Sequence, residues 1–334
     1  MRAICVARED AERAIRLLRS HNLLSPTHRP LQLGNKVCLP ALSSDAVSIL
    51  DKNEIKAEET EATFVEVPPK KSMKEMFPSV PSPTFVGDIA LFNWKRELPE
   101  ELYVEAAKAL LEEMPRVKAV LLKVETWGEL RYQKVRHLAG EQRTRTVHKE
   151  YGLSFVVDLA KAYFNPRLAG EHRRVAEEVE RGERVLDMFA GVGGHSVHIA
   201  ALREVKVLAS DLNVEAVKLL AENVRLNRRK LRGEVTVLRA DASLLPLYLK
   251  PFFNRIIMDH PTASRYFARE ACQLLGGKGR IVYYTLNISC REASEEALRV
   301  FSCAKEVESC REVIDYSPSH SIFCLALAAE GLQV

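Results

Sequence analysis

The stretch Glu183–Leu202, ERVLDMFAGVGGHSVHIAAL, decides the fold. Its first residues read as a short buried strand, FAGVGG as a tight turn, and the apolar-rich remainder as a helix. A strand that runs through a glycine turn into a helix lets backbone N–H groups approach a ligand at the helix N-terminus. Gly191 and Gly193 occupy that turn, and the helix is expected to begin near His195 and Ser196. Working outward, EHRRVAEEVERG precedes the stretch as a charged helix. VKVLASD, EAVKLLAENVRLN, VTVLRAD, RIIMDHP, EACQLLGGKGRIVYYT and EEALRVFSCA follow it, alternating strand and helix. This alternation predicts an α/β domain with a doubly wound sheet.

Carboxylates close three successive predicted strands: Asp187, Asp211 and Asp241. Asp211 lies at the position where a carboxylate accepts from both ribose hydroxyls of a nucleoside. Two cofactors satisfy this much, since a nicotinamide dinucleotide also takes a glycine turn with an acidic residue about 20 positions on. Against the dinucleotide, Ser196 stands where the third glycine of GxGxxG belongs, and Asp187 would repel a pyrophosphate. The same carboxylate suits the cationic amino-acid end of S-adenosylmethionine, which the pattern therefore favours. After RIIM comes Asp259-His260-Pro261-Thr262, where methyltransferases of nucleobase nitrogens carry a D/N-P-P-Y-like turn; the plainer alternative is a strand-exit turn.

The rest of the chain bounds these readings. Of 334 residues, 47% are apolar and 28% charged, which excludes wholesale disorder and implies more than one domain. RAICVAR, DAERAIRLLRSHNLL and KVCLPAL predict a small α+β module over residues 1–67, and the Pro- and Lys-rich segment 68–83 reads as a linker. Residues 84–170 predict a mixed α+β domain and 171–334 the cofactor-binding domain. The longest apolar run near the C-terminus, Ile322–Ala329, is far short of a membrane span, and no signal core opens the chain, so a cytoplasmic location is expected. Seven scattered cysteines without CxxC or a zinc-like spacing predict free thiols and no metal. Net charge is only +4, but six basic residues against two acidic ones between Arg131 and Glu150 form either an RNA-facing patch or a solvated face. No oligomerisation surface is evident, so a monomer is the default.

Four strings carry a resemblance: GELRYQKVRHLAGEQRTRTVHKEYG, YFNPRLAGEHRR, VLDMFAGVGG and MDHP. In order and spacing the chain resembles the archaeal and eukaryotic tRNA (guanine-37-N1) methyltransferase family, best between Gly128 and Tyr284. The resemblance implies a class I methyltransferase Rossmann-like fold, S-adenosylmethionine as cofactor, tRNA with G37 as partner, and an N-terminal module that contacts the outer corner of tRNA. It places the proton-accepting base at Glu171, eight residues after Tyr163, and the O6-stabilising cation at Arg131. Asp259 and Pro261 would orient the flipped guanine. Tyr163, Asp187, Phe189, Ala190, Gly191, Gly193, Asp211, Leu212, Asp241, Ala242 and Asp259 would hold the cofactor, and Arg136, Arg143, Arg145, Lys149 and Arg167 the RNA. Read without the family, Glu171 is a first-turn acid favoured by the helix dipole. The chain departs from the family in Asp259-His260-Pro261-Thr262 where N-x-P is usual, and in GVGG where proline commonly follows the second glycine. Methylation of an exocyclic amine (guanine N2 or adenine N6), a non-catalytic tRNA-binding role, and an NAD-dependent oxidoreductase are the competing expectations.

Overall fold

Alternating apolar residues in RAICVA bury both faces of the first strand, and helices close over one of them. In the computed structural model, which describes residues 1–66, 71–127 and 132–331, the chain divides into two units, Met1–Ser72 and Met73–Val334. The first contains β1 (Arg2–Ala7), α1 (Ala11–Ser20), β2 (Leu31–Leu33), β3 (Lys36–Pro40), α2 (Asp45–Lys52) and β4 (Ala57–Glu61), with sheet order β2-β3-β1-β4. Ile4 and Val6 pack against Ala14 and Leu18 of α1 and Ala46 and Leu50 of α2. On the opposite face Cys5 sits directly across from Cys38 in the β1–β3 register and is disulfide-bonded to it.

The second unit opens with α3 (Met73–Met76), followed by β5 (Thr84–Val86), β6 (Ile89–Asn93), α4 (Glu100–Glu113), β7 (Ala119–Trp127) and β8 (Tyr132–Gly140), forming a sheet in that strand order. The expected linker is not one throughout. Met73 and Val80 are buried against Tyr103, Ala106 and Leu110 of α4, because its apolar residues outweigh its prolines; residues 67–70 lie outside the described residues.

A hairpin of β9 (Arg145–Glu150) and β10 (Leu153–Asp158) leads to α5 (Ala169–Glu178), β11 (Arg184–Asp187), α6 (Gly194–Leu202), β12 (Lys206–Asp211) and α7 (Val214–Asn227). After these come β13 (Glu234–Arg239), α8 (Leu245–Tyr248), β14 (Phe253–Met258), α9 (Ala268–Leu274), β15 (Leu275–Asn287), α10 (Cys290–Val300), β16 (Ala304–Ser317) and β17 (His320–Glu330). The seven-stranded sheet runs β13-β12-β11-β14-β15-β17-β16, parallel from β13 to β15, with β17 antiparallel to both neighbours. This is the expected doubly wound sheet. One core joins Val86, Ile89 and Leu121 to Phe155, Val192, Val197 and Leu219, so the middle segment and the sheet domain do not separate near residue 170. Asn223 and Asn227 of α7 secure this union by bonding the backbone N–H and C=O of Val156 and Ser154, at 2.6–3.1 Å, along a strand edge that would otherwise lack partners.

The expectation of free thiols is corrected: Cys272–Cys303 and Cys290–Cys310 are also bonded, and Cys324 alone is free and buried. Each pair joins residues that only the tertiary fold brings together, so linear spacing carried no signal. Among the described residues no helix is long and apolar enough to cross a membrane.

Candidate active site

Strand order reverses between β11 and β14, and at such a switch point the carboxyl ends of the strands splay to leave a crevice. A cavity of about 690 Å³ occupies it. Its lining joins Tyr163 and Asn165 ahead of α5, Phe189–Gly191 after β11, Asp211 and Leu212 after β12, and Asp241 and Ala242 after β13. Asp259–Thr262 after β14 completes it. Ten of the residues expected from sequence thus meet around one space: Tyr163, Phe189, Ala190, Gly191, Asp211, Leu212, Asp241, Ala242, Asp259 and Pro261.

The glycine turn is built for a close approach. Gly191 has φ +53°, and a methyl group added there would meet nothing within 4 Å, so its backbone faces open cavity. Its N–H donates to Asp211 Oδ2 at 2.8 Å, while Asn213 N–H donates to Oδ1 at 2.8 Å. Burial pushes the Asp211 carboxyl upward, and these bonds oppose the shift. With one lone pair of each oxygen committed, the carboxylate keeps acceptor capacity toward the cavity. Asp241 is likewise fixed, accepting from the N–H and Oγ of Ser243. An open glycine cradle, a fixed ribose-accepting carboxylate and flanking apolar walls fit the adenosine part of S-adenosylmethionine.

Two expected cofactor ligands are placed elsewhere. Gly193, φ +99°, packs so closely on α7 that a Cβ would lie 2.4 Å from Leu220; its role is to bring helix and turn together. Asp187 does not line the cavity; it is 1% exposed, and its Oδ2 accepts from Ser196 Oγ at 2.6 Å. Burial raises its pKa to about 6. It therefore anchors α6 from below the turn.

The Asp259–Thr262 turn is pinned at three points. Ser264 Oγ donates to the carbonyls of Met258 (2.8 Å) and His260 (2.9 Å), and Leu286 N–H donates to Pro261 O at 3.1 Å. The carboxylate of Asp259 reaches the cavity with its Oδ2 3.3 Å from Nε2 of the buried His195; burial lowers the His195 pKa, but Asp259, with Asp187 and Glu171, raises it by more.

Glu171 sits at the first turn of α5, outside the cavity lining and 4% exposed. Arg174 forks onto it (2.6 and 2.9 Å), Tyr284 Oη donates to it at 2.8 Å, and Arg311 approaches to 3.3 Å. Burial would raise its pKa, but Arg174 holds it down to about 2. Arg131 lies outside the described residues.

Of the basic residues, Arg136 pairs with Glu100, Arg143 with Asp88 (2.6 Å) and Glu141 (2.7 Å), and Arg145 with Glu222 (2.5 Å). Lys149 and Arg167 are exposed without an ion pair among the described residues. Sequence reasoning overlooked His172 and His195, which line the cavity, and Arg174 and Tyr284, which hold Glu171. Arg174 was visible as an i,i+3 partner of Glu171; nothing local marked Tyr284.

Comparison with known proteins is consistent with this geometry. A family model described as the TRM5/TYW2 methyltransferase domain matches residues 146–313. The tRNA (guanine(37)-N(1))-methyltransferase Trm5b of Methanocaldococcus jannaschii is 32% identical over 335 residues, covering 96% of each chain. Trm5b of Pyrococcus abyssi is 39% identical over 203 residues, 60% of this chain and 58% of its own. Among solved structures, the complex of aTrm5 with tRNALeu superimposes with a TM-score of 0.75 at 29% identity, over 98% of this chain and 99% of that one.

Proposed function

Since the chain belongs to the TRM5/TYW2 methyltransferase family, we propose that it transfers the methyl group of S-adenosylmethionine to N1 of guanosine 37 in tRNA. The observation that carries this reading is the single cavity in which the Gly191–Asp211 cradle and the pinned Asp259–Pro261 turn face each other. When bound, the cofactor supplies an electrophilic methyl on its sulfonium; everything else falls to the protein.

To reach the cavity, guanine must leave its stack, the usual demand of base-modifying enzymes. Asp259, an acceptor only, takes a hydrogen bond from the exocyclic 2-amine or from N1–H, groups that adenine does not present in this arrangement. His195 fixes that carboxylate from behind. Glu171 receives the N1 proton. A carboxylate held at about pKa 2 is a weak base toward free guanine, but N1–H becomes strongly acidic as the new N–C bond forms, so a permanently ionised acceptor suffices late in the reaction. Both Glu171 oxygens are taken here, so the guanine displaces Arg174 from one of them. Arg131 stabilises charge on O6, a role resting on its place in the GELR string, and Lys149 and Arg167 contact tRNA phosphates together with arginines released from their surface pairs.

We place the enzyme in the cytoplasm with its tRNA. The test is methyl transfer from labelled cofactor to an unmodified transcript bearing G37, beside an A37 transcript. Label on G37 alone is expected. Label on both, or binding of both without turnover, would overturn the proposal in favour of a less selective enzyme or a tRNA-binding protein.

A further inference from the structure

Beneath the glycine turn lies a polar cluster that the methyl-transfer scheme does not use. Glu150 closes β9, His172 follows Glu171 in the first turn of α5, and His198 sits on α6, each at least nine-tenths buried. His172 Nδ1 and His198 Nε2 both lie 3.0 Å from Glu150 Oε2, and the three donor atoms are all within 4.8 Å of one another. Phe155 stacks on the His198 ring at 5.8 Å and Tyr151 meets it edge-on at 6.0 Å, fixing its orientation.

As a purely hydrogen-bonded group the cluster is poorly balanced. One carboxylate oxygen takes both contacts, while Glu150 Oε1 and His198 Nδ1 are buried without a hydrogen-bond partner among the described residues. Glu150 meets no Lys or Arg side chain within ion-pair distance among the described residues; its partners are the imidazoles of His172 and His198. A buried carboxylate oxygen left without a partner is costly, and coordination of a metal ion would use it.

We propose that Glu150, His172 and His198 bind a divalent transition-metal ion, zinc by ligand chemistry. Imidazole and carboxylate donors suit zinc, and a bidentate Glu150 with two imidazoles completes four donor atoms, using the oxygen that otherwise has no partner. The ion clamps β9 and α5 to α6, and so ties the helix bearing Glu171 to the helix that follows the cofactor turn. The ligands are 22 and 26 residues apart on three elements, which is why spacing rules for zinc predicted no metal.

The test uses the full chain without a histidine tag, expressed with added zinc. Elemental analysis is expected to find about one equivalent of zinc per chain, and its removal by a chelator to lower the melting temperature until Zn²⁺, but not Mg²⁺, is returned. Titration of the stripped protein with Co²⁺ is expected to give a visible d–d absorption saturating at about one equivalent. His198→Gln should abolish that band, and His195→Asn, which removes a ligand of the neighbouring His172–His195–Asp259 group but none of the proposed site, should retain it. Absence of both bound metal and the Co²⁺ band in wild-type protein with a native circular-dichroism spectrum would overturn the proposal, leaving a hydrogen-bonded triad. Loss of the band in His195→Asn but not in His198→Gln would overturn it in favour of the neighbouring group. Should His198→Gln fail to fold, retention or loss of the band in His195→Asn decides between the two groups.

Discussion

Arg174 closes on Glu171 one helical turn away, its guanidinium donating to both carboxylate oxygens at 2.6 and 2.9 Å. The pair makes Glu171 an acceptor that is ionised throughout the physiological range. Glu171→Gln is expected to lower the single-turnover rate by about 10²–10⁴-fold, the usual contribution of a positioned base. Arg174→Ala removes the cation that opposes burial, so the Glu171 pKa rises and activity begins to fail at a higher pH on the acid side. Single-turnover rates measured against pH for the three proteins check both statements; an unmoved acid limb in Arg174→Ala would contradict the second.

Asp211 governs cofactor affinity through its two fixed oxygens. Asp211→Ala removes the acceptor for the ribose and releases the Gly191 and Asn213 N–H groups. Hydrogen bonds to charged groups contribute about 1.5–3 kcal/mol, so calorimetry should show binding of S-adenosylmethionine weakened by about 10- to 150-fold.

Gly194 is required by its neighbour. A Cβ there would stand 2.4–2.9 Å from three atoms of the His172 ring, which is buried and cannot swing away. Gly194→Ala is expected to cost about 1–3 kcal/mol by overpacking. At Gly170, also helical, the nearest atom is Tyr151 Oη at 3.8 Å, so Gly170→Ala should be neutral or stabilising. Thermal melts of the two variants give opposite signs if this packing holds.

The methyltransferase sheet was legible because its strands are short apolar runs ended by Asp or Gly, a pattern set by local backbone and burial. The β12 and β13 carboxylates and the glycine turn were legible for the same reason. What escaped were features made only by tertiary packing. Val80 and Met73 lie in a segment whose prolines read as a linker, yet α4 gives them an apolar surface to cover. Asp187 looked like a ligand because it precedes the turn, but the pleat turns its side chain to Ser196 instead of the cavity. The disulfides and the Glu150–His172–His198 cluster draw on residues far apart in sequence, and no periodicity records such meetings.

Asp187 also makes stability depend on pH. Its folded pKa, about 6, exceeds the ordinary 3.8, so between those values the native state binds more protons than the unfolded chain. Stability from this group is therefore complete below about pH 4 and lost as pH rises through 6. Asp187→Asn, which can still accept from Ser196, is expected to flatten that decline, as chemical denaturation at pH 4.5 and 7 would register. An equal fall in the variant would assign the pH dependence to another group.

The most direct test of the central claim is the identity of the methylated atom. Wild-type protein is incubated with S-adenosylmethionine and an unmodified G37 transcript, and the digested nucleosides are resolved by mass spectrometry against authentic standards. The account requires 1-methylguanosine, absent when G37 is replaced. N2-methylguanosine or N6-methyladenosine in its place would show that Asp259 presents a different nitrogen to the methyl donor, and would contradict it.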